Sequence, residues 1–324
     1  MIQPRKPYDI NELLSCHGDL EAVSNLLSSR LIFVMGKGGT GKTTLSVCLA
    51  FIAEKMGLTT LIVEIGDSAG TAQFFGESDA GNEPSRVSSR IWTTGVDPRA
   101  ELVAYTHHHM KSGFIAGRIT KSRLFDYLLA ATPGLKEIMT LGRIWRWFTG
   151  GPDKDGPAFD RIIVDAPATG HGLSLLSLPK NLGDMIRVGP IAAQVEDIRK
   201  LVTDSSRTAV TVATLPEELP VNETLEMMAA AKRDVGVDVS PIFINSVYPD
   251  IFTSEESEDI KRFFPDRGQT RLIKSWVNRC QSQQAYIDQI LANVTCPVIR
   301  LPFFFTNELS TQEVRKLSWS LKKA

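Results

Sequence analysis

Four glycines and two lysines occur in one short stretch of the chain, and their spacing is suited to holding phosphate. Residues 36–43 read GKGGTGKT, which fits the pattern G-x-x-x-x-G-K-[ST]. Glycines leave the backbone N–H groups of such a loop free to wrap a polyphosphate, at a helix N-terminus whose dipole favours negative charge. Lys42 would reach the β- and γ-phosphates, and the Thr43 hydroxyl would ligate Mg²⁺. The other loop positions are Gly36, Gly38, Gly39, Thr40 and Gly41.

The segments on either side of the loop are those that a phosphate-binding loop requires. Apolar residues 31–35 predict a buried strand before it, and residues 45–55 have the composition of a helix after it. Further strand-sized apolar runs lie at 59–65, 91–95, 159–165, 208–214, 241–245 and 298–301. Because helical segments separate these runs, we predict an α/β fold, a doubly wound and mostly parallel sheet of the P-loop nucleoside triphosphatase type. In such a sheet, ligands bind at the carboxyl ends of the strands.

Candidate site residues lie at or just after the ends of two of these strands, at 159–165 and 241–245. Asp165 ends an apolar strand, where a carboxylate can hold a Mg²⁺-bound water; the alternative is a capping aspartate in an ordinary strand-to-helix turn. Gly170 offers a backbone N–H that could approach a γ-phosphate closely. Asn245 offers a side-chain amide that could read the edge of adenine. Residues 165–172 are therefore the candidate second switch segment. The candidate first switch segment is 66–76, which leaves the sheet on the same side as the phosphate loop.

Composition narrows the class of protein. The 324 residues have 43% hydrophobic content and a net charge of −1, which gives no electrostatic footprint for nucleic acid. The longest apolar runs are strand-sized and the N-terminus lacks the apolar region of a signal peptide, so we expect a cytoplasmic protein with no membrane span. Four cysteines without a C-x-x-C pair, and three consecutive histidines at 107–109, indicate neither a disulfide framework nor a metal site.

We expect one domain over residues 1–324, with a helical insertion at 99–150. Apolar and aromatic residues in the second half of the insertion exceed what one helix face needs. They would form the core of a helical sub-domain or a groove that binds a partner or client protein.

Several motifs together resemble one family. The chain is similar to the ArsA-type anion-transporting ATPases, which include the arsenite-efflux ATPase and the targeting ATPase for tail-anchored membrane proteins. Lys37 completes a loop that resembles the deviant Walker A motif of the SIMIBI-class dimeric ATPases. The matching segments are GKGGTGKTT at 36–44, PGLKE at 133–137, DAPATGHGLSLLSLP at 165–179, LPEELPVNET at 215–224, IN at 244–245 and LPF at 301–303.

The resemblance implies a homodimeric ATPase that binds ATP and Mg²⁺ and hydrolyses ATP to ADP and phosphate. In that family the signature lysine, here Lys37, reaches the partner's nucleotide. The resemblance further assigns phosphate and Mg²⁺ contacts to Lys42, Thr43 and Thr44, the second shell of the metal to Asp165, the γ-phosphate to Gly170, and the adenine to Asn245, Pro302 and Phe303.

The first switch departs from the family pattern. The family has Asp-Pro-Ala there, and its aspartate orients the attacking water, whereas this chain reads Gly66-Asp67-Ser68-Ala69. Asp67 fits the role, including a place near the metal, only with a shift of one residue. Glu64 is the alternative carboxylate.

The cargo stays open because the residues that define the known family roles are missing. The four cysteines do not match the thiolates of the metalloid pump, and the zinc-binding C-x-x-C of the targeting factor is absent. We expect a nucleotide-driven switch acting on an unidentified membrane-protein or regulatory client. The alternative is an ATP-dependent dimerising module with little hydrolysis.

Overall fold

A computed structural model describes most of the chain. The described residues are 17–18, 21–66, 70–78, 80–109, 122, 125, 127, 131–150, 158–167, 169–185, 190–252, 254–263, 268–306 and 309–321. Asp67, one of the two candidate carboxylates, lies outside them.

Nine strands in the described part form one sheet, in the order β1-β9-β8-β7-β2-β6-β3-β5-β4. The seven inner strands are parallel, and β1 and β4 pair antiparallel at the two edges. The predicted α/β fold with a mostly parallel sheet is confirmed. The strands are β1 (His17–Gly18), β2 (Leu31–Met35), β3 (Thr60–Glu64), β4 (Ser85–Arg86), β5 (Ile91–Gly95), β6 (Arg161–Asp165), β7 (Thr208–Thr214), β8 (Val239–Val247) and β9 (Val298–Pro302).

Helices cover both faces of the sheet. They are α1 (Glu21–Leu26), α2 (Lys42–Lys55), α3 (Gly70–Gln73), α4 (Pro98–His109), α5 (Leu135–Thr149), α6 (Thr169–Met185), α7 (Pro190–Thr203), α8 (Glu218–Ala230), α9 (Ser254–Phe263), α10 (Gly268–Asn293) and α11 (Thr311–Ser320). A π-helical turn, Ala231–Val235, follows α8 directly.

Alternate residues of each inner strand point into two separate cores. In β2, Phe33 packs on one face of the sheet and Ile32 on the other, and both are fully buried. We call the first the α5–α8 core, since it is lined by those helices with α10, and the second the α2 core, which also contains α1 and α11. Burial on both faces explains why these strands are continuous apolar runs rather than alternating ones.

The helical insertion contributes α4 and α5 to the described part of the chain. Helix α5 buries a stripe of apolar side chains in the α5–α8 core, so this face serves core packing. Its members are Ile138, Met139, Leu141, Ile144 and Phe148. The bounds of the insertion at 99–150 stay a prediction.

Three further features of the described residues concern cysteine burial, metal ligands and membrane spans. Cys48 is fully buried in α2, as a small core residue should be. Among the described residues, no group of three or more histidine, cysteine, aspartate or glutamate side chains is placed to hold a metal ion. No helix within those ranges is long and apolar enough to cross a membrane.

The α2 core should respond to the loss of a single methyl group. Ile62, in the middle of β3, is fully buried there, so Ile62→Val should lower the free energy of unfolding by about 0.5–1.5 kcal/mol. Leu272 is 72% exposed, and Leu272→Ala is the control, with an expected change within about 0.5 kcal/mol. Denaturant titration measures both values, and equal effects would contradict the assigned burial.

Candidate nucleotide-binding site

The glycine-rich loop is tightly enclosed by the ends of neighbouring strands. Gly36 has a φ of 144°, and a Cβ there would lie 2.2 Å from the carbonyl oxygen of Ala213 at the end of β7. Gly41 has a φ of 91°, and a Cβ there would lie 2.2 Å from Nδ2 of Asn245. A side chain at either position would therefore meet both backbone strain and a steric clash.

Lys42 begins α2 and turns back over the loop. Its Nζ donates to the carbonyl oxygen of Lys37 at 3.0 Å, and the Thr40 hydroxyl donates to the same oxygen at 2.9 Å. Burial lowers the pKa of the Lys42 ammonium, and the nearby charge of Asp165 acts in the opposite direction. The loop thus holds a partly desolvated cation at the point where P-loops bind phosphate.

Asp165 joins the helix after the loop to the neighbouring strand. The Thr43 hydroxyl donates to its Oδ2 at 2.7 Å, and the Ser46 hydroxyl donates to its Oδ1 at 3.4 Å. Burial raises the pKa of Asp165 to about 6, although the bond from Thr43 and the charge of Lys42 lower it. Among the described residues, the hydrogen bonds of this side chain go to α2, whereas residue 168, where a capping contact would form, lies outside them.

Oxygen donors of the kind that Mg²⁺ prefers meet at this point. The Thr43 hydroxyl and the Asp165 carboxylate are adjacent, and both are hard ligands. These residues therefore fit a magnesium ion, with Thr43 as the ligand and Asp165 beside it. Ser46 was missed by the sequence interpretation, although its position three residues after Thr43 places it on the same face of α2.

Glu64 lies beside Asp165, in register on the adjacent parallel strand, and is 4% exposed. Its Oε1 accepts from the backbone N–H of Gly70 at 2.5 Å. Its Oε2 accepts from the hydroxyl of Thr71 at 2.6 Å and from the Thr71 N–H at 3.2 Å. Both carboxylate oxygens therefore hold the start of α3, which lies within the candidate first switch at 66–76.

Lys37 points away from the loop and forms an ion pair with α8. Its Nζ lies 2.8 Å from Oε1 of Glu223, and each side chain is 31% exposed. The sequence interpretation did not single out Glu223. Its only signal was membership of the LPEELPVNET segment, and nothing in that segment indicates contact with the loop.

Asn245 supports the phosphate loop from β8. Its Nδ2 donates to the carbonyl oxygen of Thr40 at 3.0 Å, and its Oδ1 accepts from the Ser246 N–H at 2.9 Å. The predicted contact with adenine is a separate role and stays a prediction.

An aromatic cluster adjoins the ends of β8 and β9. Phe303 follows the buried Pro302 and stacks on Tyr248, with ring centroids 4.6 Å apart and planes 16° apart. Trp276 of α10 contacts Tyr248 edge-on and stacks on Phe305. The sequence interpretation missed Tyr248 and Trp276, because no local pattern brings α10 to the ends of these strands.

The remaining predicted residues lie close to the same edge in the fold. Gly170 is in the first turn of α6, five residues beyond the end of β6. Thr44 is in the first turn of α2. Gly38 and Gly39 are in the loop itself, and Gly39 has a φ of 82°. Their contacts with nucleotide stay predictions.

Comparison with known proteins decides the family. The model of a family described as anion-transporting ATPase matches residues 29–191, half of the chain. The chain belongs to the anion-transporting ATPase family. This membership implies nucleotide binding, and ATPase activity at the level of the family.

Relatives of this chain include bacterial and eukaryotic proteins. ATPase BagA of Mycobacterium tuberculosis is 31% identical over 231 residues, which cover 70% of this chain and 67% of the relative. ATPase GET3 of Kluyveromyces lactis is 24% identical over 316 residues, covering 86% and 84%. ATPase ASNA1 homolog 1 of Paramecium tetraurelia is 24% identical over 298 residues, covering 80% and 82%.

The buried charge of Asp165 should make stability depend on pH. The folded pKa of about 6 is above the unfolded value of about 4, so ionisation costs stability as pH rises through this window. In EDTA and without nucleotide, the unfolding free energy of Asp165→Asn minus that of wild type should be about 1 kcal/mol larger at pH 7.5 than at pH 5.

Denaturant titration at the two pH values measures this difference. Asp238, whose side chain is 76% exposed, gives the control Asp238→Asn, which should change with pH by less than about 0.5 kcal/mol. An Asp165→Asn effect that is the same at both pH values would contradict the raised pKa.

Loss of the Asn245 amide should weaken nucleotide binding whichever base the nucleotide carries. Asn245→Ala removes the bond to Thr40, so the affinities for ATP and GTP should fall by the same factor, about fivefold. Calorimetric titration measures both, with the exposed Asn293→Ala as control. A larger loss for ATP than for GTP would show that Asn245 also reads adenine.

Proposed function

We propose that this chain is a Mg²⁺-dependent ATPase that works as a homodimer. ATP binding and hydrolysis would open and close the two subunits and so act on a cargo or partner protein. The observation that carries the proposal is the 2.7 Å hydrogen bond from the Thr43 hydroxyl to Asp165. It joins the residue that would ligate the metal to the carboxylate that would orient the metal's water, as phosphoryl transfer requires.

Each residue near the loop has a distinct task in this proposal. Backbone N–H groups of residues 36–41 bind the phosphate oxygens, and the ammonium of Lys42 neutralises the β- and γ-phosphates. Thr43 and Asp165 would hold Mg²⁺, which when bound withdraws charge from the phosphate oxygens. Gly170 would donate its N–H to the γ-phosphate. The conformation of the second switch would then depend on whether the γ-phosphate is present.

Lys37 would supply the positive charge that a single subunit lacks. In the proposed dimer its ammonium reaches the partner's nucleotide, where it stabilises transition-state charge in the manner of an arginine finger. Lys37 is 31% exposed at the edge of the loop, so it is accessible from outside its own subunit.

The carboxylate that orients the attacking water is the open part of this site. Glu64 is committed to Gly70 and Thr71 through both oxygens, which favours Asp67 for the task. The same observation supports a second candidate function. If neither carboxylate orients water, the chain would bind ATP and dimerise but hydrolyse very slowly, as a regulatory module.

The client side of the proposal rests on the helical region at 99–150. Helix α5 buries one face in the core, while Tyr127 is 70% exposed, so surface remains for a membrane-protein or regulatory client. The near-neutral charge of −1 argues against nucleic acid. A cytoplasmic location, as expected from the sequence, is part of this proposal.

Turnover per bound ATP tests the proposal and separates the two candidates. Wild type should bind one Mg·ATP per subunit and release phosphate repeatedly. Lys42→Ala should lose at least about 100-fold in turnover, because the phosphates lose their main cation. Lys37→Ala should keep ATP binding while losing turnover, since its charge acts only in the dimer.

The switch carboxylates provide a matched pair of variants. Asp67→Asn should abolish turnover while leaving ATP binding intact, whereas Glu64→Gln should reduce it less, because the amide oxygen still accepts from the Thr71 hydroxyl. An unaffected Asp67→Asn rate would refute the role of Asp67. Stoichiometric binding without repeated phosphate release by wild type would favour the regulatory module.

A further inference from the structure

The signature lysine of the loop is already paired inside its own subunit. Lys37 Nζ donates to Oε1 of Glu223 at 2.8 Å, across 186 positions in the sequence. The other oxygen of this carboxylate, Oε2, is buried and has no hydrogen-bond partner among the described residues. The ion pair with Lys37 is therefore the side-chain contact that the described residues provide for this carboxylate.

Glu223 lies on a rigid part of the fold. Its neighbours on α8, Val221 and Thr224, are buried, and Asn222 accepts a hydrogen bond from Gln289 of α10 at 3.0 Å. The carboxylate is therefore carried by a helix packed against its neighbours, and the ammonium of Lys37 is paired with it.

The backbone of Lys37 is connected to the phosphate-binding lysine. Its carbonyl oxygen accepts from Lys42 Nζ at 3.0 Å and from the Thr40 hydroxyl at 2.9 Å. The backbone of this residue thus contacts the cation that binds phosphate, while its side chain contacts α8. Lys37 thus links the Lys42 ammonium, which contacts its carbonyl oxygen, to Glu223, which contacts its own ammonium.

We infer that Glu223 is a positioning residue that holds Lys37 within its own subunit until the partner's nucleotide competes for the ammonium. Dimer closure then exchanges one anionic partner of Lys37, the carboxylate, for another, the phosphates across the interface. This inference rests on the proposed function, because it needs Lys37 to act on the partner's nucleotide. Glu223 would set the nucleotide concentration at which the dimer forms.

The exposure of the pair is suited to such an exchange. Both side chains are 31% exposed, and ion pairs of this kind are weak in water because solvent screens them. The carboxylate therefore restrains Lys37 without trapping it. Removing the restraint should change the midpoint of dimer formation about twofold to fivefold rather than by orders of magnitude.

The test is sedimentation velocity of the full chain, titrated with Mg²⁺ and a non-hydrolysable ATP analogue. Glu223→Gln keeps the shape of the side chain and removes its charge, so the midpoint of dimer formation should fall about twofold to fivefold. Glu226→Gln, three residues further along α8, is the matched control and should leave the midpoint unchanged. Circular dichroism at the same temperature checks that both variants are folded.

A double-mutant cycle shows whether the effect passes through Lys37. In a Lys37→Ala background, Glu223→Gln should no longer shift the midpoint, because the restrained group is gone. The inference is overturned if Glu223→Gln leaves the midpoint unchanged or raises it, or if it shifts the midpoint equally with and without Lys37. In those cases the dimer still forms and the proposed function survives. If wild type and all variants stay monomeric, the proposed homodimer itself fails and the inference fails with it.

Discussion

The structure of the candidate site depends on one carboxylate that is buried away from water. Asp165 is 6% exposed, and Thr43, Ser46 and the nearby Lys42 offset only part of the cost of burying its charge. These partners all belong to the start of α2, so the carboxylate fixes the helix that follows the phosphate loop against β6. Because β6 lies between β2 and β3 in the sheet, the same carboxylate also fixes the loop relative to the first switch.

Polar side chains on adjacent elements hold different parts of the candidate site in place. Asp165 faces the phosphate loop, and Glu64, its register neighbour on β3, holds α3. On the opposite side of the loop, Asn245 and Glu223 contact its backbone and its exposed lysine. The loop and the start of α2 are therefore connected to β6, β8 and α8 through side chains that each make one or two hydrogen bonds within the described part of the chain. In the proposed function, Mg²⁺ and nucleotide would compete for two of these contacts, those of Thr43 and Lys37.

Much of this arrangement follows from local sequence. The apolar runs predicted the inner strands, because strands buried on both faces are rich in apolar and β-branched residues. The loop and Asp165 were predictable because glycines and a terminal carboxylate are required at fixed distances from those strands. Glu223 and Tyr248 were not, since their contacts depend on how distant helices pack. Helix α10, with 26 residues, escaped the interpretation because its composition is mostly polar and only a few residues, such as Ile287 and Ile290, are buried.

The division of the interior by the sheet has a consequence for how this protein can vary. The α2 core supports the helix that follows the loop, while the α5–α8 core packs the helices nearest the proposed client surface. Side chains on opposite faces share few partners, so the energetic effects of substitutions in the two cores should be nearly additive. Substitutions can therefore accumulate in the α5–α8 core while the α2 core, and the helix after the phosphate loop, stay unchanged. The proposed client surface can in this way change while the phosphate-binding site is preserved.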